Sequence, residues 1–291
     1  MQPKTNGIDM DETPSQAQTP TPPGFFGARW LDLAQVLRFY SRLPVPIFVF
    51  DREPHALPDF NRVVWAVPVA GAIIGAIGAS IGAGAMVIGL SPLIAATLTI
   101  AILVVITGCF HEDGLADSCD GLWGGHTPER RLEIMKDSRI GSYGAAGLGL
   151  TLLLRVLALS ELFRHFGPMG ALLMIGIASA SRTLSLMLTQ VMPPAQPESL
   201  AGRTHMPGEK AYAIALFIGI GLLTALATWF DLLIGLVVTA NAVVLVIWMA
   251  ISLAKSKIGG FTGDILGATQ QLVDITLLLG LSAAAAWHGP V

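Results

Sequence analysis

Apolar residues in this chain do not alternate with polar ones; they run on. Mostly apolar stretches of about 20 residues, the length that crosses a bilayer, recur at roughly 63–88, 91–110, 142–163, 168–192, 211–230, 232–254 and 272–288. The first is long, rich in glycine and contains Pro68, so a tilt or kink is expected there. The last is the shortest. The pattern predicts an all-α fold, a polytopic helical bundle in the membrane with about seven transmembrane helices. Residues 29–43 read differently. Trp30, Leu33, Ala34, Leu37, Tyr40 and Ser41 recur at helical spacing, with Arg38 and Arg42 available to phosphates. That predicts an N-terminal helix lying in the membrane interface.

Composition sharpens this picture. Of 291 residues, 53% are hydrophobic and only 13% charged, where soluble domains carry about 25%. This favours one membrane-embedded domain over residues 29–291 against two globular ones. Residues 1–28 are rich in Pro, Thr and Gln, hold Asp9, Asp11 and Glu12, and contain no apolar core of a signal peptide. They are expected to be a disordered tail. The net charge of −3 argues against nucleic acid as a partner. Cys109 and Cys119 make no disulfide framework, and the hard oxygen donors around them disfavour a soft-metal site. A homo-oligomer is left open.

Lys and Arg crowd one side of the predicted spans. Lys4, Arg29, Arg38, Arg42, Arg52 and Arg62 precede the first span, and Arg130, Arg131, Lys136 and Arg139 follow the second. Arg203 and Lys210 follow the fourth, and Lys255 and Lys257 the sixth; the other side receives Arg164. The positive-inside bias predicts a cytoplasmic N-terminus and cytoplasmic polar loops at 111–141, 193–210 and 255–271. Gly71, Gly75, Gly78 and Gly82 form a small-residue stripe suited to close helix packing.

Polar chemistry concentrates in those loops. In HEDGLADSCDG (111–121), Asp113, Asp117 and Asp120 stand at i, i+4 and i+7. On a helix continuing from the second span they would share a face and repel one another. A divalent cation would offset that repulsion, and oxygen donors select Mg²⁺, Mn²⁺ or Ca²⁺. Gly114 and Gly121 would leave room for a ligand beside them. The plain alternative is a solvated acidic loop that ends a span. MKDSRIGSYG (135–144) follows, where Lys136 and Arg139 suit phosphate as point charge and fork, beside Asp137 and Ser138. In GGFTGDILGATQQ (259–271), Gly259 and Gly260 precede Thr262 and Asp264. Such a turn before a helix suits phosphate oxygens. Acids, cations and glycines facing one compartment suggest metal-assisted phosphoryl transfer. Arg182, inside the fourth span, is expected to face the bundle interior or a polar cavity, with Asp274 its partner by charge. Arg155 and Glu161 form another candidate pair.

These three stretches, with YSRLPVP (40–46), resemble the cobalamin synthase family, the adenosylcobinamide-GDP ribazoletransferases. The likeness runs from about residue 30 to 288. It implies a multi-pass enzyme of the bacterial cytoplasmic (inner) membrane that requires Mg²⁺. Its substrates would be GDP-activated adenosylcobinamide and α-ribazole, or α-ribazole 5′-phosphate, with GMP released in late cobalamin biosynthesis. Polar positions carried over by the resemblance are His111, Asp113, Asp117, Asp120, Lys136, Asp137, Ser138, Arg139, Thr262 and Asp264. Asp113, Asp117 and Asp120, with Glu112 weighted less, would hold Mg²⁺. Lys136, Ser138, Arg139, Arg182, Gly259, Gly260 and Thr262 would bind phosphate and substrate. Asp137, Asp264 or His111 would be the general base. Two other classes compete: a CDP-alcohol phosphotransferase, disfavoured because Asp117 and its neighbours depart from that D-G-x-x-A-R pattern, and a cation transporter, disfavoured because the acids cluster at a membrane end.

Overall fold

A computed structural model describes residues 24–47, 51 and 56–287; the N-terminal tail expected to be disordered lies, up to residue 23, outside them. Among the described residues the fold is all-α, with one isolated bridge between Pro194 and Phe261. Five helical runs are long and apolar enough to cross a membrane: Ala66–Val87 (α3), Ser142–Val191, Glu209–Trp229 (α11), Leu233–Ile258 (α12) and Gly263–Trp287 (α13). Joining Pro92–Thr107 (α4) to Phe110–Gly124 (α5) gives a sixth, bent by 88°. The chain is a multi-pass membrane protein.

The run Ser142–Val191 is not a rod. It comprises Ser142–Phe166 (α7), a 3₁₀ turn over Gly167–Leu172, Leu173–Ser185 (α8) and the short Met187–Val191 (α9). Gly167 at the turn has φ +56°, a conformation open to glycine without steric cost. Arg155 of α7 and Ser181 of α8 both reach Asp274 of α13, Nε at 3.1 Å and Oγ at 3.3 Å. In a straight helix those two residues would lie about 39 Å apart. The chain therefore doubles back between α7 and α8.

The glycine stripe is shared among three partner helices. A Cβ on Gly71 or Gly75 would strike the Ala178 or Met174 carbonyl of α8 at 2.5 or 2.6 Å. Gly78 faces Leu103 of α4, and Gly82 faces Thr99 of α4 and Phe163 of α7. Backbones approach that closely only where no side chain intervenes. Pro68 stands in the first turn of α3, where its missing N–H interrupts nothing. The kink expected from it is instead a break at Val64–Trp65, between Phe60–Val63 (α2) and α3.

The structure alters three expectations. First, α4 stops at Gly108 and does not continue into the acidic stretch. Gly108 and Cys109 both adopt left-handed backbone, φ +63° and +60°, and the Cys109 amide donates to Val104 O at 3.0 Å. Second, the last helix begins at Gly263, not near 272, so residues 263–271 are helical. Thr262 caps it, its Oγ1 accepting from the Ile265 amide at 3.2 Å. Third, the N-terminal helix Phe25–Tyr40 (α1) starts inside the segment read as tail and turns its apolar face to protein. Leu33, Leu37 and Tyr40 are buried, while Phe25, Phe26 and Trp30 are exposed. Buried Asp32 anchors it, meeting Arg29, Arg62 and the Trp65 indole at 3.1–3.2 Å.

Candidate active site

Helix α5 carries the acidic motif and lies between α7 and α13. Gly114 permits the approach to α13: a Cβ there would sit 2.9 Å from the Asp264 carbonyl oxygen. Gly121 likewise abuts Arg131 O and the Met135 side chain. The clearance beside these glycines, expected to admit a ligand, is filled by protein. The elbow before α5 is held by α1. Tyr40 stacks on His111, centroids 5.6 Å apart, and Phe39 meets Phe110 edge-on at 5.2 Å. The Arg42 amide donates to Ile106 O at 2.7 Å.

Asp113, Asp117 and Asp120 share a face of α5, as their spacing predicts, but their surroundings differ. Asp113 is exposed, and Asp117 half-buried. Asp117 lies within electrostatic reach of Asp113, Asp264 and Asp120, and Asp264 within reach of Asp113 and Lys136. Asp120 is committed elsewhere. Its Oδ2 accepts from the Gly141 amide at 2.7 Å and its Oδ1 from Gly144 at 2.9 Å, capping the N-terminus of α7. A Cβ on Gly141 or Gly144 would collide with that carboxylate. Glu112 points into the bundle. It accepts from Arg155 Nη1 and Gln271 Nε2, both at 3.1 Å.

A cavity of about 490 Å³ opens at this end of the bundle. Asp113, His111, Lys136, Thr262 and Asp264 line it, together with Arg42, Phe39, Tyr40 and residues of the 196–206 segment. A smaller cavity of about 240 Å³ adjoins it, lined by Glu112, Asp113, Asp117, Ser138 and the apolar Leu148 and Leu152. Asp113 and Cys109 line both. The larger one is of ligand-pocket size. Its lining combines aromatic and aliphatic side chains with ionic groups.

Other expected site residues lie apart. Gly259 ends α12 in left-handed backbone, φ +78°. Gly260 packs against Pro193 and Ala195, where the Phe261 amide donates to Pro193 O at 3.0 Å. The Phe261 amide and carbonyl hold the 193–195 segment, and the Gly259 amide closes α12 on Ala254 O at 3.0 Å. Arg139 forks onto Asp137, with Nη2 to Oδ2 at 2.6 Å, on the exposed surface. That bonding pulls the Asp137 carboxyl down to about 2, leaving it a feeble base. Arg182 is buried, with its Nη1 donating to Ala178 O at 3.0 Å; it lies within electrostatic reach of Asp274, its expected partner, and of the cavity residues His111 and Tyr40, while the ion pair of Asp274 is made with Arg155. Glu161 pairs with Arg164 at 3.2 Å and not with Arg155.

Mg²⁺ can be tested against this donor set. Among the described residues no three His, Cys, Asp or Glu side chains stand in a metal-binding group. Asp113, Asp117 and Asp264 are nevertheless near enough to feel one another's charge. Mg²⁺ typically takes one or two carboxylates, several waters and substrate phosphates, with no dedicated protein cage. A sparse set of mutually repelling carboxylates beside Lys136 fits that habit; a structural metal site would not look like this.

Sequence reading missed Arg42 as a cavity residue, and Arg155, Gln271 and Asp274 as one buried cluster. A span with Arg and an acid in its interior is the signal for the latter. Nothing in the chain's spacing tells which acid meets which arginine.

Comparison with known proteins fits the assembly of these three segments. The sequence model of the cobalamin-5-phosphate synthase family matches residues 32–282. An adenosylcobinamide-GDP ribazoletransferase of Azorhizobium caulinodans is 42% identical over 88% of this chain and 97% of its own. That of Xanthobacter autotrophicus is 42% identical over 86% and 95%, and that of Rhizobium etli 39% over 87% and 97%. No solved structure matches the chain. A match spanning all three polar motifs and every described helix between Phe60 and Ile258, at this identity, shows that the chain belongs to the cobalamin-5-phosphate synthase family.

Proposed function

We propose that this protein is an adenosylcobinamide-GDP ribazoletransferase of cobalamin biosynthesis, acting in the bacterial inner membrane. Its N-terminus and its reaction cavity face the cytoplasm, and its substrates are GDP-activated adenosylcobinamide and α-ribazole or its 5′-phosphate. The observation that carries the reading is the meeting of Asp113, Lys136 and Asp264, from three distant segments, around one cavity. The orientation rests on the positive-inside bias of those same segments.

Asp113 and Asp117 would hold Mg²⁺, which supplies charge neutralisation to a nucleotide diphosphate. Lys136 binds the phosphoryl oxygens as a point charge. Asp264 takes the proton from a ribazole hydroxyl as its oxygen bonds to the corrinoid-side phosphorus. The bond from that phosphorus to the bridging oxygen breaks, and GMP departs with the electron pair. Phe39, Tyr40 and Phe110 give the same cavity its aromatic lining. Purified protein in detergent, given GDP-cobinamide, α-ribazole and Mg²⁺, should release one GMP per corrinoid joined. Release should cease when ribazole is omitted or Mg²⁺ is chelated. GMP release that ignores ribazole would refute the transfer.

A further inference from the structure

We infer that Arg42 is a phosphate-binding residue of the cavity, contacting the diphosphate of the nucleotide-activated substrate. It is placed there by the segment that follows α1. Its amide bond to Ile106 O ties residue 42 to the last turn of α4. Its guanidinium stem lies across Gly108, where a Cβ would come within 2.8 Å of Nε. The side chain thus rests on the α4–α5 elbow and lines the same cavity as Asp113, Lys136 and Asp264.

The charge inventory singles it out. Most of the described cations are already engaged. Arg29 and Arg62 hold Asp32, Arg38 holds Asp51, and Arg130 holds Glu133. Arg131 and Lys257 donate to backbone carbonyls, Arg139 grips Asp137, and Arg155 pairs in the interior. Arg42 forms no ion pair or hydrogen bond among the described side chains, and of the cations it and Lys136 line the cavity. A planar fork in a cavity that Asp113 and Asp264 also line, with no ion pair to a described anion, matches a phosphate bidentately. Helical spacing alone would assign Arg42 to lipid phosphates. Its seat on Gly108 places it instead in the cavity that Asp113 and Lys136 line. The shared chemistry is a phosphate anion, and the two sources, substrate and lipid headgroup, are separable by experiment.

The assignment rests on the phosphoryl-transfer reading above, so binding is measured apart from turnover. Radiolabelled GDP with Mg²⁺ is titrated into detergent-purified wild type, Arg42→Ala and Arg42→Lys, with thermal unfolding recorded for each. The expected result is GDP affinity weaker by about ten- to a hundredfold in Arg42→Ala and partly restored in Arg42→Lys. The KM for GDP-cobinamide should rise in parallel, while the KM for α-ribazole and the unfolding midpoint stay put. Arg42→Ala binding GDP like wild type would overturn the assignment and leave the transferase reading standing. So would a variant whose sole defect is weaker binding to vesicles of anionic lipid, which would give Arg42 to the headgroups. If Arg42→Ala proves unstable, Arg42→Lys decides by the same ratio of the two KM values. Wild type that binds GDP in an Arg42-dependent way yet transfers nothing would overturn the reaction and keep the contact.

Discussion

Arg155 of α7 and Glu112 of α5 form an ion pair of 3.1 Å, with both side chains about 95% hidden from solvent. Gln271 donates to the same carboxylate oxygen, and Asp274 flanks the guanidinium. The cluster joins three helices directly behind Asp113. It sets the rotation of α5, and that rotation turns Asp113 and Asp117 toward Asp264 while Glu112 stays inside. Removing one member of a buried pair leaves the other charge uncompensated, which costs about 3–5 kcal/mol. Glu112→Ala and Arg155→Met should each lower stability by about that much in detergent unfolding. The double variant should lose less than the two singles combined. Strict additivity would show that the pair is not coupled.

Asp120 is expected to act through α7. Losing a capping carboxylate costs roughly 1–2 kcal/mol. Asp120→Ala should lower the unfolding midpoint accordingly, and the Mg²⁺ concentration giving half-maximal rate should stay within about twofold. A large rise in that concentration with unchanged stability would return Asp120 to the metal set that the resemblance implies.

Close helix packing gives a prediction remote from the chemistry. At Gly71 an added Cβ would meet the Ala178 carbonyl at 2.5 Å. Overpacking of this kind typically costs about 1–3 kcal/mol. Gly71→Ala should be destabilised by that amount, whereas Gly84→Ala, with open space at its Cβ, should not lose stability by crowding.

Asp137 supplies a pH test. Its hydrogen bonds from Arg139 hold the carboxyl at about 2, below the ordinary value of about 3.9. A depressed folded-state pKa means that the pair's contribution is complete above the ordinary carboxylate range and fades as pH falls toward 2. Between pH 5 and 9 Asp137 stays ionised, so it contributes no inflection to the rate profile. In Arg139→Ala, labelled-carboxyl NMR should show Asp137 titrating near 4. A rate inflection in the neutral range that vanished in Asp137→Asn would contradict this and make Asp137 a working base.

Much of this architecture is written in hydropathy. Helices α11 and α12 fall where the apolar runs place them, because a segment facing lipid must be apolar along its length. The register of Asp113, Asp117 and Asp120 was also legible, since a helix fixes its own faces. Two kinds of information were not. The break at Gly108–Cys109 depends on left-handed backbone that glycine at the end of an apolar run permits but does not compel. The start of α13 was hidden by glycines read as a phosphate loop, although Thr262 three residues before Ile265 has the spacing of a cap. Partner choice was the other gap. Arg155 takes Glu112 and Asp274, over a hundred positions away in one case, leaving Glu161 to Arg164. Only the folded arrangement of α5, α7 and α13 decides between such acids.

The central claim is that Asp113, shared by both cavities, is where the phosphoryl group is transferred. The most direct measurement is GMP release from GDP-cobinamide and α-ribazole with Mg²⁺, comparing wild type with Asp113→Asn at matched unfolding midpoints. The account predicts steady release by wild type and a loss of turnover of about a hundredfold or more in Asp113→Asn. Near-normal release by Asp113→Asn would contradict it.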